Sequence, residues 1–381
     1  MNILSVAPAY YPATRWGGPI FFDYGLNNTL AGMTGVEIKV LTTDVASPKS
    51  SERLDVNSID HSDYINQEVI FTKRVAGESV SFDLLRKLPL LIRWADVVRL
   101  SATYSFPTFP VLILCRLYSK PLVWTLHGAV LDTHVWPGAP RRRLKRLWEM
   151  ICSRLVKKDR TMIHALSELE MRSAEVRIPG VRTAVVPNGL SIYEIDHNKQ
   201  FLPDGSMRLI YLGRLSPKKG VENLLSAMFL LREYPISLKI YGSGDLGYVD
   251  ILQGLVEKFD LGDTVNFMGE VTGIDKDAAF YNADVCIVPS HTESFCIVVA
   301  EALNHGVPVI ASHGTPWQNL EAEQCGLWVD NKPDSLAHAI KEIRSMPLSD
   351  MGRRGWEWMS RDYSWDAVAS KMMNLYRSIE S

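Results

Sequence analysis

Short, unbroken apolar runs separated by longer stretches of helical periodicity recur along the whole chain, and that alternation leaves few folds open to it. In the first half the runs are Asn2–Ala7, Glu37–Leu41, Val69–Thr72, Val97–Leu100, Leu122–Leu126, Met162–Ala165 and Thr183–Val186. In the second half they are Arg208–Leu212, Ser237–Tyr241, Val265–Met268, Val285–Val288, Val307–Ala311 and Gly326–Val329. Most are apolar at every position rather than every other one, as parallel strands are when helices cover both faces of their sheet. Helical patterns fall at about Val221–Arg232, Tyr248–Phe259, Phe295–His305, Pro333–Arg344 and Trp365–Ile379. The alternation predicts an α/β protein with two doubly wound parallel-sheet (Rossmann-like) domains. The length agrees, since 381 residues exceed what one ordinary core holds.

After Pro187-Asn188-Gly189 the chain turns polar and irregular, then resumes with a strand at Arg208. We expect a first domain over 1–188, a connector over 189–206, a second domain over 207–362 and a closing helix over 363–381 that packs back towards the first domain. With 46% hydrophobic and 22% charged residues, the composition excludes disorder, collagen and simple coiled coil. No apolar run approaches a membrane span, and Met1–Val6 lacks the charged-then-apolar pattern of a signal peptide. The five cysteines form no C-x-x-C pair, which fits a reducing compartment and argues against a thiolate zinc site. A cytoplasmic location is therefore expected. The net charge of −2 hides an asymmetry: residues 1–190 carry 24 Lys and Arg against 17 Asp and Glu, whereas residues 191–381 carry 17 against 26. Either the halves face different partners or two unrelated surfaces simply differ.

Ligands of open α/β sheets bind beyond the carboxyl ends of the strands, so the strand-end loops are where chemistry is expected. The first such loop holds Gly17-Gly18 before a helix opening near Ile20. Two glycines there admit a bulky anion to free helix amides, though a plain tight turn uses the same residues. No G-x-G-x-x-G is present, so a dinucleotide dehydrogenase loses its main support. After Arg208–Leu212 the loop reads Gly213-Arg214-Leu215-Ser216-Pro217-Lys218-Lys219-Gly220. Arg214 and Lys219 are suited to neutralising a diphosphate, and equally suited to being solvated surface charges. The Gly242-Ser243-Gly244 turn offers another close approach.

The most specific signal is His291-Thr292-Glu293-Ser294-Phe295-Cys296-Ile297-Val298-Val299-Ala300-Glu301. Read as a helix from Phe295, it puts Glu293 at the helix mouth and Glu301 two turns deeper, with free amides from Ser294 to Ile297 between them. Carboxylates at each end and N–H donors between them suit a long ligand bearing hydroxyls and phosphate. A Glu within so apolar a helix is costly unless it is paired. His127, at the end of an apolar strand and before Gly128, reads as a site residue, with a satisfied core histidine as the alternative. His164 reads as structural, and no H-E-x-x-H or similar ligand spacing points to a metal.

Gly213-Arg214-x4-Lys219, the E-x7-E of Glu293 and Glu301, and Gly306-Val307-Pro308-Val309 resemble glycosyltransferase family four, retaining enzymes of the GT-B fold. Gly17-Gly18, Thr125-Leu126-His127-Gly128, Pro187-Asn188-Gly189 and Tyr363-Ser364-Trp365 extend the resemblance over the chain. His127-Gly128-Ala129, His164-Ala165-Leu166-Ser167-Glu168 and Gly314-Thr315-Pro316-Trp317 are similar to members that build bacterial polysaccharide and lipopolysaccharide. The resemblance implies two domains facing a cleft, with the donor nucleotide sugar on the C-terminal side. It implies that Arg214 and Lys219 bind the donor diphosphate, that Glu301 holds the ribose and that Glu293 holds the sugar hydroxyls. Ser294, Phe295, Cys296 and Ile297 would complete the donor site, Gly242 and Val271 would lie beside the base, and Gly17-Gly18 near phosphate and acceptor. His127 would sit at the reaction centre. Cys296 departs from the family, which commonly has Gly there.

The expected activity is transfer of a hexosyl group from a nucleoside diphosphate sugar, UDP favoured and GDP open, to a hydroxyl of a glycan or lipid-linked saccharide. No cofactor, no metal and no nucleic-acid partner are expected. No Asp or Glu adjoins His127 in sequence, which favours same-face attack through an oxocarbenium-like state. A nucleotide-sugar epimerase and a non-catalytic nucleotide-sugar-binding protein remain as alternatives. Finally, Arg141–Arg160 carries nine basic residues against Glu149 and Asp159, with Leu144, Leu147, Trp148, Ile151 and Leu155 at helical spacing. That is one apolar stripe on a basic helix, suited either to the core or to an anionic membrane surface, on the inner face of the plasma membrane.

Overall fold

The computed structural model describes residues 1–48, 52–194 and 205–380; of the 189–206 connector, residues 195–204 lie outside the described residues. The chain divides into two compact units, Met1–Gly189 with Trp365–Ser381, and Leu190–Ser364.

The first unit runs β1 (Asn2–Val6), α1 (Gly18–Ala31), β2 (Glu37–Thr43), β3 (Gln67–Thr72), α2 (Phe82–Trp94), β4 (Val97–Ser101), α3 (Thr108–Tyr118), β5 (Leu122–Thr125), α4 (Ala129–Val135), α5 (Arg142–Leu155), β6 (Thr161–Ala165), α6 (Glu168–Arg177) and β7 (Arg182–Val185). Its seven strands are parallel in the order β3-β2-β1-β4-β5-β6-β7. Burial explains the sequence pattern strand by strand. The central β4, β5 and β6 are buried at every residue, whereas the edge strands β3 and β7 are only partly covered.

The second unit runs β8 (Met207–Leu212), α7 (Val221–Leu230), β9 (Ile236–Tyr241), α8 (Leu246–Lys258), β10 (Val265–Gly269), α9 (Gly273–Tyr281), β11 (Val285–Val288), α10 (Ile297–Asn304), β12 (Val309–Ser312), β13 (Gly326–Val329), α11 (Pro333–Ile343) and α12 (Leu348–Asp362). Its six strands are parallel in the order β10-β9-β8-β11-β12-β13. Two of these helices, α9 and α12, had no counterpart in the sequence reading. Gly352 and Gly355 lower helix propensity, yet they let α12 lie against its neighbour. A side chain at Gly352 would meet the Gly306 carbonyl oxygen at 2.1 Å, and one at Gly355 would meet Leu303 at 2.7 Å.

The last helix, α13 (Trp365–Glu380), returns to the first unit. Val368, Met372, Tyr376 and Ile379 are buried there with Phe22, Leu26 and Leu30 of α1. The Trp365 indole fills a slot that only glycine can line, since a side chain at Gly25 or Gly189 would meet the ring at 2.1 or 2.3 Å. No helix among the described residues is long and apolar enough to cross a membrane.

Candidate active site

In both sheets the order reverses beside the first strand, between β1 and β4 and between β8 and β11. Chain connections leave such a pair in opposite directions, so their carboxyl-end loops part and open a crevice. In the second unit that crevice receives the loops 213–220 and 289–296, which carry most of the residues singled out above. The two loops are bonded to each other. The His291 N–H donates to the Lys218 carbonyl at 2.8 Å, and a side chain at Gly220 (φ +64°) would meet the Pro289 carbonyl at 2.2 Å. The Lys219 ammonium donates to the Glu293 carboxylate. Burial works against the charge on Lys219, but Glu293 outweighs it, so its pKa lies above the ordinary lysine value. The Glu293 N–H is in turn held by the Gly314 carbonyl at 2.8 Å.

Arg214 is exposed, with its own carbonyl accepting from the Tyr211 hydroxyl at 3.1 Å. It lines a cavity of about 280 Å³ with Gly213, Gly242, Ser243, Glu270 and Val271. The cavity wall exists because two strand-end loops run backbone against backbone. A side chain at Gly242 (φ +138°) would meet the Gly213 carbonyl at 1.9 Å, and one at Gly244 would meet the Leu215 carbonyl at 2.1 Å. Arg214, Gly242 and Val271 thus share one hollow, while Lys219, Glu293 and Cys296 form a separate cluster beside it.

Helix α10 begins two residues later than the pattern suggested. Cys296 is its N-cap in the left-handed region (φ 65°, ψ 71°), so helical amides start at Ile297 and not at Ser294. Phe295 is buried in the loop, where its carbonyl accepts from the Trp317 indole at 2.6 Å. The helical spacing expected between Glu293 and Glu301 therefore does not hold. Glu293 stands on the loop, and Glu301 lies about 6 Å along the axis from the first helical residue at ~1.5 Å per residue. Cys296 is a strained residue, since the left-handed region costs a non-glycine residue about 1–2 kcal/mol. Burial and the nearby Glu293 push its thiol up to about 12, so it stays a neutral, apolar group. Glu301 has the partner its apolar helix demands: Lys276 of α9 donates to it at 2.8 Å. Sequence reasoning missed Lys276, although it lies in Asp275-Lys276-Asp277, the chain's one Asp-x-Asp. Asp277 bonds the His305 ring at 3.0 Å.

In the first unit Gly17 (φ +78°, ψ −148°) caps α1, which opens at Gly18 with Pro19 in its first turn. A side chain at either glycine would meet nothing within 4 Å, so only the conformation of Gly17 calls for glycine. His127 follows β5 in the left-handed region (φ 50°), and Gly128 after it has φ 78°. Its Nε2 lies 2.6 Å from the Ser101 hydroxyl and 3.9 Å from Asp23 Oδ1, and the Phe22 ring meets it edge-on. A carboxylate thus does adjoin His127, contrary to the sequence reading, but it is buried and claimed. Asp23 accepts from Arg99 at 2.7 Å, and Arg99 also donates to Ser5 and Asn27 at 2.9 and 3.0 Å. Burial lowers the His127 pKa to about 4, with Asp23 raising it and Arg99 lowering it, so the ring is neutral near pH 7.

His164, expected to be structural, is fully partnered. It is wholly buried, with Nδ1 3.0 Å from the Thr125 hydroxyl and Nε2 2.8 Å from the Val186 carbonyl. Asp23, Arg99 and Glu170 went unnoticed. Asp23 and Arg99 are charges inside apolar elements, the same signal that marked Glu301, whereas Glu170 lies in a highly charged helix that gives no such sign. Glu170 is fully buried, and its two carboxylate oxygens accept from the Gly128 and Leu166 N–H groups.

Residues 26–192 match the family model described as Glycosyltransferase Family 4, and residues 193–355 match that of Glycosyl transferases group 1. The chain belongs to this family of glycosyltransferases. An uncharacterized glycosyltransferase of Methanocaldococcus jannaschii is 32% identical over 52% of this chain and 55% of its own length. A GDP-mannose-dependent alpha-(1-6)-phosphatidylinositol monomannoside mannosyltransferase of Mycobacterium tuberculosis is 33% identical over 44% of this chain and 47% of its own. The matches span about half the length of these relatives. HepE of Anabaena, in complex with UDP and glucose, shares the GT-B fold with a TM-score of 0.72 at 17% identity, over 99% of this chain and all of that one.

Proposed function

We propose that the protein is a retaining, metal-independent hexosyltransferase. It moves a sugar from a nucleoside diphosphate to a hydroxyl of a glycan or lipid-linked saccharide in polysaccharide biosynthesis. The observation that carries this reading is the switch-point crevice of the second unit, where Lys219 and Glu293 meet beside the hollow lined by Arg214, Gly242 and Val271. A diphosphate entering there would compete with Glu293 for the Lys219 ammonium, and release a carboxylate able to accept sugar hydroxyls. Glu301, kept in place by Lys276, is assigned to the ribose. UDP, which HepE carries, is the first choice of nucleotide, with GDP as its rival. Peripheral attachment to an anionic membrane through Arg141–Arg160, in the cytoplasm, belongs to the same reading.

In the reaction the anomeric C–O bond to the diphosphate breaks, and the acceptor oxygen bonds the same carbon from the same face. The acceptor proton passes to the departing phosphate oxygen. Charge growing on the diphosphate is met by Arg214, Lys219 and the α10 amides from Ile297, donors already in position before the bond breaks. His127, neutral, is assigned to hydrogen bonding at the reacting sugar. Asp23 is an unsuitable covalent nucleophile because Arg99 and burial already hold it.

Calorimetric titration with UDP and GDP tests the donor assignment. Arg214→Ala and Glu301→Ala should each weaken the preferred nucleotide by about 1.5–3 kcal/mol, tenfold to a hundredfold. Unchanged affinity in Arg214→Ala sinks the phosphate assignment. Transfer that disappears in EDTA and returns with magnesium would overturn the metal-independent mechanism.

A further inference from the structure

We propose that the outer faces of α5 and α3 dock on an anionic phospholipid bilayer, with headgroup phosphates seated among Arg146, Arg154 and Lys158. This deepens the membrane attachment in the function proposed above, and it requires no particular donor or sugar.

The apolar stripe of α5 does not pack as one face. Trp148 turns inward, its ring 3.9 Å from that of Phe109 and its indole donating to the Thr103 carbonyl at 2.8 Å. Glu149 and Cys152 are buried beside it, and Glu149 is the partner of Arg177. Leu155 is half-buried against the same core, but the others are left outside: Leu144 is 65% exposed, and Leu147 and Ile151 are exposed with it, as is Met150 off the stripe. The core side of the helix is already filled, so folding gives no account of four large apolar side chains on its outer side.

These side chains are interleaved with cations. Arg143, Arg146, Arg154 and Lys158 have no carboxylate partner among the described residues. Arg146, Leu147, Met150, Arg154, Lys158 and Arg177 line an open groove of about 630 Å³. Arg177 is neutralised by Glu149, which leaves Arg146, Arg154 and Lys158 to face an incoming anion. The neighbouring helix repeats the pattern. On α3, Ile113 and Leu117 are exposed, and between them the Arg116 guanidinium donates to the Arg154 carbonyl at 2.9 Å. A second groove, of about 600 Å³, joins Arg116, Arg154, Lys157 and Lys158.

Aliphatic tips and unpaired cations side by side match a bilayer interface, where one enters the acyl boundary while the other meets phosphate. A free phosphate would use the cations and leave Leu144, Leu147 and Leu117 unexplained. A nucleic acid duplex would likewise use the cations alone, and a single strand would call for exposed aromatic platforms, whereas the exposed apolar groups here are aliphatic.

Flotation of the full chain with vesicles of equimolar phosphatidylglycerol and phosphatidylcholine tests this. The expected result is binding at low salt, none to pure phosphatidylcholine, and loss at high salt. Each cation near an anionic surface multiplies binding roughly fivefold, so the triple variant Arg146→Ser, Arg154→Ser, Lys158→Ser should bind on the order of a hundredfold more weakly. Leu144→Ser, Leu147→Ser, Ile151→Ser should weaken binding as well, with an unchanged thermal midpoint in both variants. Absence of binding, or binding that survives either triple variant, overturns the proposal. So does inorganic phosphate or soluble polyglutamate that competes fully at matched anion concentration. Nucleoside diphosphate affinity, measured in the same variants, should not move. Its absence from the parent protein would count against the transferase reading and leave the lipid result standing.

Discussion

His127 takes its pKa and its posture from different neighbours. Burial makes the ring neutral, while the turn that aims it depends on Glu170, whose carboxylate holds the N–H of Gly128 from one side and that of Leu166 from the other. Burial raises the Glu170 pKa to about 7, against the lowering effect of its two amide donors. A carboxyl with a raised folded-state pKa stabilises most below its unfolded value, and that contribution fades as pH rises through 7. The histidines act oppositely. His127 at about 4 and His164 at about 3 are lowered by burial, so the unfolded chain takes up protons first as pH falls from about 6.5, and stability drops there. Glu170→Gln removes one titration. The stability of the parent relative to this variant should fall by on the order of 3 kcal/mol between pH 5 and pH 8. Denaturant midpoints at several pH values measure it, and a constant difference would show that Glu170 does not titrate there. Turnover should fall in Glu170→Gln more than donor affinity does, since the turn it holds carries His127 and not the diphosphate groups.

At the scale of elements, glycines of identical appearance in the sequence do different work. Gly244→Ala would drive a methyl group to 2.1 Å from the Leu215 carbonyl, against backbone that cannot yield, so it should cost several kcal/mol and abolish nucleotide binding. Gly17→Ala meets open space and pays only for a backbone (φ 78°, ψ −148°) that residues other than glycine rarely adopt, about 1–3 kcal/mol. Equal losses in the two variants, by thermal melts and titration, would refute this account of the β8–β9 wall. The same distinction explains how much was legible beforehand. Strands showed because a covered parallel strand is apolar throughout, and Arg214, Lys219, Glu293 and Glu301 showed because charge at strand ends or within apolar helices needs a reason. Helix α12 was hidden because Gly352 and Gly355 serve a tight packing that no local propensity records. The start of α10 was misread because left-handed Cys296, not the apolar pattern, sets where the helix begins. The pairing of Lys276 with Glu301 lay beyond reach because α9 itself went unrecognised.

At the scale of the whole molecule, the chain's last helix belongs to its first unit. Val368, Ala369, Met372, Met373, Leu375, Tyr376 and Ile379 are buried in the same cluster as Ile3, Phe22, Leu26, Ile38 and Val97, and Trp365 closes the slot lined by Gly25 and Gly189. Burying large apolar side chains is worth about 1.5–3 kcal/mol each, so the helix supplies on the order of 10 kcal/mol of gross stabilisation to that unit. Net stabilities of domains are of similar size, about 5–15 kcal/mol. Ending the chain after Ser364 should therefore unfold residues 1–189, far away in sequence, before it disturbs residues 205–364. The second unit keeps its own core of Leu209, Leu224, Leu238, Ile287 and Ile340, separate from the cluster that holds α13. Amide hydrogen exchange on the truncated chain reads this directly: β4, β5 and β6 should lose protection while β8, β9 and β11 retain it. Equal loss in both sets of strands would mean that the two cores do not stand separately, and unchanged protection in β4–β6 would mean that α13 merely covers a unit already stable without it.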